Sequence, residues 1–157
     1  MLCRVVGIIF ILAVILICLP LSVPRLFGFE IFHVESGSMS PAIPAGSVIY
    51  VKHETPETLS EGDVITFVSE GVYVTHRIVE NRFVEGELVT KGDANEKEDA
   101  NPIAYANVVG TVKAHFPVLG KFLVVVSTGL GKFYLVLAAV CGVLFLILGN
   151  MLKKKKE

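Results

Sequence analysis

The chain has 157 residues, of which 53% are hydrophobic and 18% are charged. Soluble domains contain about a quarter charged residues, so this composition argues against a soluble cytosolic globule. The formal net charge of −1 is unevenly distributed. Residues 25–121 contain eight Lys and Arg against fourteen Asp and Glu, whereas residues 153–156 are four consecutive Lys. Because nucleic acid requires a basic surface, the acidic middle of the chain argues against it as a partner.

An uncharged apolar segment of 20 residues, residues 5–24, follows the short amino-terminal segment 1–4. A helix of ~20 apolar residues is ~30 Å long and crosses the hydrocarbon core of a bilayer. The alternative is a cleavable signal peptide, but the segment is long for a signal-peptide core and no small-x-small cleavage site follows it. The sequence therefore predicts an uncleaved transmembrane helix over residues 5–24.

The middle of the chain, residues 25–121, is predicted to be one small β-domain. Five segments are rich in the Val, Ile, Thr, Tyr and Phe residues that favour strands: 47–52, 63–68, 72–80, 87–91 and 107–113. Turn signals that contain Gly separate most of them, and no segment holds a 3.6-residue apolar period. We therefore expect a mainly β fold, a small antiparallel β-rich domain flanked by two transmembrane helices.

The second apolar segment covers residues 122–152, and its core, residues 133–152, has 20 residues without a charge. The span begins at residue 122 if Lys132 reaches the membrane interface, and at residue 133 otherwise. A lysine tail follows at residues 153–157, and basic residues are enriched in cytoplasmic segments. We expect an integral membrane protein with two spans in the lipid bilayer, both termini cytoplasmic, and the β-domain on the extracytoplasmic or lumenal side.

The sequence offers no metal ligands in a recognisable pattern. The three Cys residues lie in or beside the apolar segments, at positions 3, 18 and 141, so the β-domain has no disulfide and no Cys-ligated zinc site. Acidic and amide residues alternate from residue 93 as in a calcium loop. However, the sixth position is Glu98 rather than Gly and the twelfth is Ala104 rather than Glu. We predict no metal and no cofactor.

Residues 35–41 read Glu-Ser-Gly-Ser-Met-Ser-Pro, and they are the first of three candidate sites for chemistry. A Gly lets the backbone approach another chain closely, and a Ser beside it can present its hydroxyl to a substrate carbonyl. A polar loop that joins the first apolar segment to the first strand is the simpler interpretation.

The second candidate is His76, in the predicted strand 72–80. Strand alternation places it on an apolar face with Val72, Val74 and Ile78. A histidine in that position is either a core residue with a satisfied hydrogen bond or a general base, because a free imidazole has a pKa of ~6.5. The other three histidines, at positions 33, 53 and 115, lack a comparable setting.

The third candidate is the acidic stretch at residues 91–99, Lys-Gly-Asp-Ala-Asn-Glu-Lys-Glu-Asp. Acidic runs of this kind are commonly solvated loops. The functional alternative is that Asp93 or Asp99 orients a histidine, as the third member of a Ser-His-Asp arrangement. Spacing along the chain leaves both carboxylates open.

These segments resemble, in order, four motifs of the type I signal peptidases. Residues 36–41, Ser-Gly-Ser-Met-Ser-Pro, resemble the nucleophile box, and residues 62–67, Gly-Asp-Val-Ile-Thr-Phe, resemble the strand that follows it. Residues 75–79 carry His76 where many bacterial members have a lysine base, and residues 91–95 are similar to the Gly-Asp-Asn-Asn box. The histidine is typical of the endoplasmic-reticulum, archaeal and sporulation-type branch. The resemblance covers about residues 30–112, but Ala94 replaces an Asn and the large second β-domain of many bacterial members is absent.

The resemblance implies a signal-peptidase/LexA-like catalytic domain and a role for each residue. Ser38 would be the nucleophile and His76 the general base. Asp99 is favoured as the orienting carboxylate and Asp93 comes second. The Ser36 hydroxyl and the Ser38 N–H would form the oxyanion hole. The implied enzyme is a signal peptidase I, a serine endopeptidase that cleaves preproteins after small residues at −1 and −3.

Two alternatives and one partner question stay open. The domain could be a membrane-anchored β-domain that binds peptides or a partner protein without hydrolysis. Lys91 could serve as the base in place of His76. The expected partners are preproteins that bear a signal peptide, with accessory subunits left open.

Overall fold

The structure is a computed structural model that describes residues 2–117 and 119–154. The chain divides into two compact units. One unit comprises Met1–Val23 and Val124–Glu157, and the other comprises Pro24–Leu123. Met1 of the predicted amino-terminal segment and residues 155–157 of the predicted lysine tail lie outside the described residues.

Three helices occupy the two ends of the chain: α1 over Leu2–Leu26, α2 over Leu119–Ser127 and α3 over Gly129–Lys154. Within the first unit, α1 and α3 contact each other through the rings of Phe10 and Phe145, whose centroids lie 6.3 Å apart. The stretches Leu2–Pro20 and Gly129–Leu152 are long and apolar enough to cross a membrane. Where the spans begin and end along these helices stays a prediction.

The second unit is built on one antiparallel sheet, with seven strands among the described residues. They are β1 (Phe29–His33), β2 (Val48–Lys52), β3 (Val64–Ser69), β4 (Val72–Arg82), β5 (Glu87–Lys91), β6 (Ile103–Ala104) and β7 (Val108–Phe116). The strand order is β1-β2-β7-β3-β4-β5-β6. Two apolar helical stretches and an antiparallel sheet confirm the predicted fold class.

Two of these strands were not predicted. β1 begins three residues after the last residue of α1. Apart from Glu30, its first four residues are apolar, so in the sequence they resemble a continuation of the membrane segment. β6 has only two residues, too few for a periodic pattern, and it pairs with the start of β5.

Two clusters of buried side chains stabilise the sheet. One contains Leu59, Ile65, Phe67, Ile78, Leu88, Ile103 and Val108. The other contains Val34, Met39, Ile43, Ile49 and Val51. The second cluster includes Met39, so the chain segment around Ser38 is anchored in the hydrophobic core rather than free as a surface loop.

β7 lies between β2 and β3 in the sheet, and its pairing is irregular on both sides. The register shifts against β2 between Tyr50 and Val51, and against β3 between Thr66 and Phe67. At Gly110, a Cβ built on the backbone would overlap the carbonyl oxygen of Lys52. The close approach of the two backbones at this point therefore requires a residue without a side chain.

We predict that Gly110→Ala lowers the free energy of unfolding by about 2 kcal/mol or more, because backbone atoms rather than a flexible side chain oppose the added methyl group. Thermal unfolding of the full chain in detergent, followed by circular dichroism, measures the loss. Ala114→Ser, at an exposed position on the same strand, is the matched control and should lie within about 0.5 kcal/mol of the wild type. Equal stability of the two variants would contradict the prediction.

Candidate active site

Ser38 lies in a compact turn between β1 and β2. The neighbouring residue Met39 is buried with 1% exposure, and its carbonyl accepts the N–H of Ile43 at 2.8 Å. The N–H of Ser40 donates to the carbonyl of Gly37 at 2.9 Å. The alternation of buried and half-buried residues places Ser38 at the edge of the core, where its hydroxyl is accessible on a fixed backbone.

The loop after β5 packs directly on this turn. The N–H of Ala94 donates to the carbonyl of Ser38 at 2.8 Å. A Cβ at Gly92 would lie 2.8 Å from that carbonyl oxygen and 2.7 Å from the side chain of Asn95, so only Gly permits the contact. The Ser38 hydroxyl lies 3.3 Å from Ser36 Oγ.

His76 lies near the middle of β4 and is buried, with 8% exposure. It pairs with Ile65 on β3, and its ring contacts Phe67 edge-on at a centroid distance of 6.2 Å. Its Nδ1 lies 2.6 Å from Asp99 Oδ2. An ionised carboxylate can only accept, so Nδ1 donates its hydrogen to Asp99, and in a neutral imidazole with this tautomer Nε2 carries the lone pair.

Thr90, on β5, holds the carboxylate of Asp99 in place. The Thr90 hydroxyl donates to Asp99 Oδ2 at 2.6 Å, and the Thr90 carbonyl accepts the N–H of Asp99 at 2.9 Å. Thr90 is fully buried. Side-chain and backbone contacts from one residue therefore set both the position and the orientation of Asp99 beside His76.

Asp93 binds a different partner. Its carboxylate accepts two hydrogen bonds from Arg77, at 2.8 Å from Nε and 2.7 Å from Nη2. Arg77 Nη1 also donates to the carbonyl of Gly62 at 2.7 Å. The carboxylate raises the pKa of the Arg77 guanidinium. The two aspartates that the sequence leaves as alternatives are thus separated: Asp99 contacts the histidine, and Asp93 contacts Arg77.

A cavity of about 590 Å³ contains the predicted nucleophile and base. Ser36, Ser38 and His76 line it, together with residues of β1 and of the first half of β4. Among the described residues no hydrogen bond joins Ser38 to His76, and such bonds in unliganded sites commonly tighten only when substrate binds. Lys91, the alternative base, does not line the cavity and pairs in register with Arg77.

Several lining residues carry no signal in the sequence. Phe32 and Tyr73 come from separate strands, and their rings lie 4.9 Å apart on the cavity wall. His33 and Asn95 also line the cavity, although His33 has no distinctive sequence setting. Across the part of the chain that the structure describes, no group of three His, Cys, Asp or Glu residues could hold a metal ion.

The arrangement of Ser38, His76 and Asp99 agrees with the protein family that the sequence matches. The sequence model of the family described as "Signal peptidase, peptidase S26" matches residues 4–98, more than half of the chain. The chain therefore belongs to the signal peptidase family, peptidase S26, and the resemblance seen in its motifs is confirmed.

Individual relatives come from bacteria and yeast. Signal peptidase I W of Bacillus subtilis strain 168 is 43% identical over 89 residues, which are 54% of this chain and 47% of that protein. The signal peptidase complex catalytic subunit SEC11 of Saccharomyces cerevisiae strain YJM789 is 35% identical over 108 residues, 60% of this chain and 64% of that protein. The chain thus spans between about half and two thirds of the length of these relatives.

We predict that Asp93→Asn lowers the free energy of unfolding by about 1 kcal/mol. Because the Arg77 side chain is 37% exposed, the loss is well below the 3–5 kcal/mol of a fully buried pair. A raised pKa keeps Arg77 charged at neutral pH, and its contribution is lost only as the pH rises through that raised pKa, far above neutrality. Thermal unfolding at pH 7 measures the change.

Glu80→Gln is the matched control for this prediction. It removes an ion pair with Arg82 in which the side chains are 40% and 50% exposed, and it should change stability by less than Asp93→Asn does. Equal losses in the free energy of unfolding would show that the bidentate Arg77–Asp93 pair stabilises the fold no more than an exposed ion pair does.

Proposed function

We propose that the chain is a membrane-bound serine endopeptidase that cleaves signal peptides from preproteins. The observation that carries the proposal is the 2.6 Å hydrogen bond between His76 Nδ1 and Asp99 Oδ2 in the wall of the cavity that Ser38 also lines. An oriented neutral imidazole near an accessible serine suits nucleophilic catalysis. Hydrolysis requires an imidazole held in this way beside an accessible serine, whereas a domain that only docked peptides would not require it.

Three residues divide the work of acyl transfer. His76 Nε2 takes the proton from Ser38 Oγ as that oxygen attacks the substrate carbonyl, and the imidazolium then gives the proton to the leaving amine. Asp99 stabilises the imidazolium and keeps the hydrogen of the neutral ring on Nδ1. The leaving amine is the new amino terminus of the mature chain, and water, activated by the same imidazole, then releases the signal peptide from the acyl-enzyme and restores the free serine.

Two donors at the nucleophile stabilise the oxyanion in this mechanism. The backbone N–H of Ser38 and the hydroxyl of Ser36 would donate to the charged oxygen. The 3.3 Å separation of Ser36 Oγ from Ser38 Oγ supports this role, because it brings the hydroxyl close to the attacking atom. Donors of this kind contribute about 3–4 kcal/mol each, since they act on charge that develops only in the transition state.

The substrate in this proposal is an extended segment that lies in the cavity between the end of β1 and the start of β4. β1 is an edge strand, so its backbone groups are available to pair with a peptide. Side chains of an extended peptide alternate, so positions −1 and −3 face the same wall. The Phe32 and Tyr73 rings occupy part of that wall and limit the space for substrate side chains, which favours small residues at both positions.

The proposed location is a membrane surface, with two spans and both termini in the cytoplasm. The two apolar helical stretches, the acidic middle and the four consecutive lysines support this orientation. The similarity to a catalytic subunit of the yeast signal peptidase complex supports accessory subunits as partners.

We predict that Ser38→Ala or His76→Ala lowers preprotein cleavage at least about 10³-fold, and that Asp99→Asn lowers it by a similar factor through loss of the correct tautomer. The assay is cleavage of a preprotein with Ala at −1 and −3 by the purified full chain in detergent. His53→Ala is the matched control, because His53 is exposed, bonds the Val109 carbonyl and lies outside the cavity.

The alternative base is tested in the same assay. Lys91→Met should retain at least about a third of the wild-type rate, since Lys91 does not line the cavity. If Lys91→Met abolished cleavage while His76→Ala did not, the assignment of the base would be wrong. Retained cleavage in Ser38→Ala would remove the nucleophile from the proposal.

Membrane orientation can be measured by cysteine labelling. In a variant with Ser at positions 3, 18 and 141, a single cysteine is introduced as Glu61→Cys in the β-domain or Glu157→Cys at the tail. We predict that a membrane-impermeant maleimide labels residue 61 in intact cells and labels residue 157 only after permeabilisation, because the lysines stay on the cytoplasmic side. The reverse pattern would invert the topology.

A further inference from the structure

Thr90 is a buried polar residue to which neither the motifs nor the proposed mechanism assigns a role. It lies on β5 opposite Ile78 of β4 and has no exposed surface. A buried hydroxyl needs a hydrogen-bond partner, and a backbone carbonyl within the sheet would have sufficed. Instead, the hydroxyl donates at 2.6 Å to the carboxylate of Asp99.

The oxygen that Thr90 contacts is the same oxygen that accepts from the histidine. Asp99 Oδ2 lies 2.6 Å from Thr90 Oγ1 and 2.6 Å from His76 Nδ1. Two donors on one oxygen share its negative charge, so each bond limits the strength of the other. The second donor also fixes the rotation of the carboxylate, which a single bond to the imidazole would leave free.

We propose that Thr90 is a positioning residue that sets the orientation and the basicity of Asp99, and through Asp99 the proton affinity of His76. Thr90 does not line the cavity, so it acts on the reaction only through the carboxylate. The inference deepens the proposed function and rests on it for the kinetic readout. The hydrogen-bond geometry itself can be tested without any activity.

The other charged groups around the pair are unchanged when only the Thr90 hydroxyl is removed. Lys91 follows Thr90 on β5 and is paired in register with Arg77 on β4, which is bound to Asp93. Glu35 is an acidic residue that lines the cavity, and β3 presents the apolar residues Ile65 and Phe67 to His76. A change in the pH dependence of cleavage by Thr90→Val therefore measures the effect of losing the Thr90 hydroxyl.

The kinetic experiment compares wild type, Thr90→Val and Thr90→Ser in the full chain in detergent, with kcat/KM for preprotein cleavage measured from pH 5 to pH 9. Without the hydroxyl, Oδ2 carries more charge and stabilises the imidazolium more strongly. We expect the acidic limb of Thr90→Val to move to higher pH by about half a unit, and the plateau to fall about threefold to tenfold as the carboxylate loses its orientation. Thr90→Ser should restore both values.

Three controls separate positioning from structure. Thr111→Val, at a buried position outside the cavity lining, should leave limb and plateau unchanged. In an Asp99→Asn background, Thr90→Val should cause no further loss, because the effect passes through Asp99. Thr90→Ala, a second variant without the hydroxyl, should reproduce the shifted limb if Thr90→Val folds poorly. A lower plateau with an unmoved limb in both variants would show a structural role and overturn the inference.

A spectroscopic readout keeps the two proposals distinguishable. In the full chain with labelled histidine, the Nδ1 proton of His76 should resonate further downfield in Thr90→Val than in wild type, and Asp99→Asn should lose this signal. An unmoved resonance in Thr90→Val overturns the role of Thr90 whether or not the chain is active. If the resonance shifts as expected but the chain shows no Ser38-dependent cleavage, only the proposed function is overturned.

Discussion

A carboxylate that follows β5 in the chain must lie within hydrogen-bond distance of an imidazole on β4, and much of the site depends on this constraint. Asp99 is eight residues past the end of β5, in an exposed segment that has no regular structure of its own. Two hydrogen bonds with Thr90 attach Asp99 to strand β5 of the sheet. Eight residues lie between Thr90 and Asp99, and without those contacts the flexibility of this segment would allow the carboxylate many positions.

The same loop also connects the proposed nucleophile to the proposed base. In the first part of the loop, the Asp93 carboxylate accepts two hydrogen bonds from the guanidinium of Arg77. The next residue, Ala94, donates its backbone N–H to the carbonyl of Ser38. Arg77 is adjacent to His76 on β4, so the strand that carries the proposed base also anchors the loop that contacts the turn of Ser38. The side chain of Ala94 is dispensable in this contact because the backbone N–H makes it. This explains how an Asn can be replaced there without loss of the interaction.

The sequence predicts the framework of this site better than its detail. β-Branched runs locate β2, β3, β4, β5 and β7 within a few residues, because packing on a pleated surface selects those residues locally. Strand alternation also places His76 on its apolar face. The choice between Asp93 and Asp99, and the contact with Thr90, depend on strand register and on a loop whose path is set by non-local contacts. No local pattern encodes those contacts, so the sequence leaves both aspartates open and does not single out Thr90.

The separation of the two aspartates has an electrostatic consequence for the site. Two ionised carboxylates facing one imidazole would repel each other, and one of them would tend to take up a proton. Arg77 removes this conflict, because its bidentate contact engages both oxygens of Asp93 and compensates their charge. Asp99 is the aspartate that contacts the imidazole, and Thr90 donates a hydrogen bond to the same carboxylate oxygen. An acidic domain can in this way direct one carboxylate to the buried histidine while another carboxylate stabilises the fold.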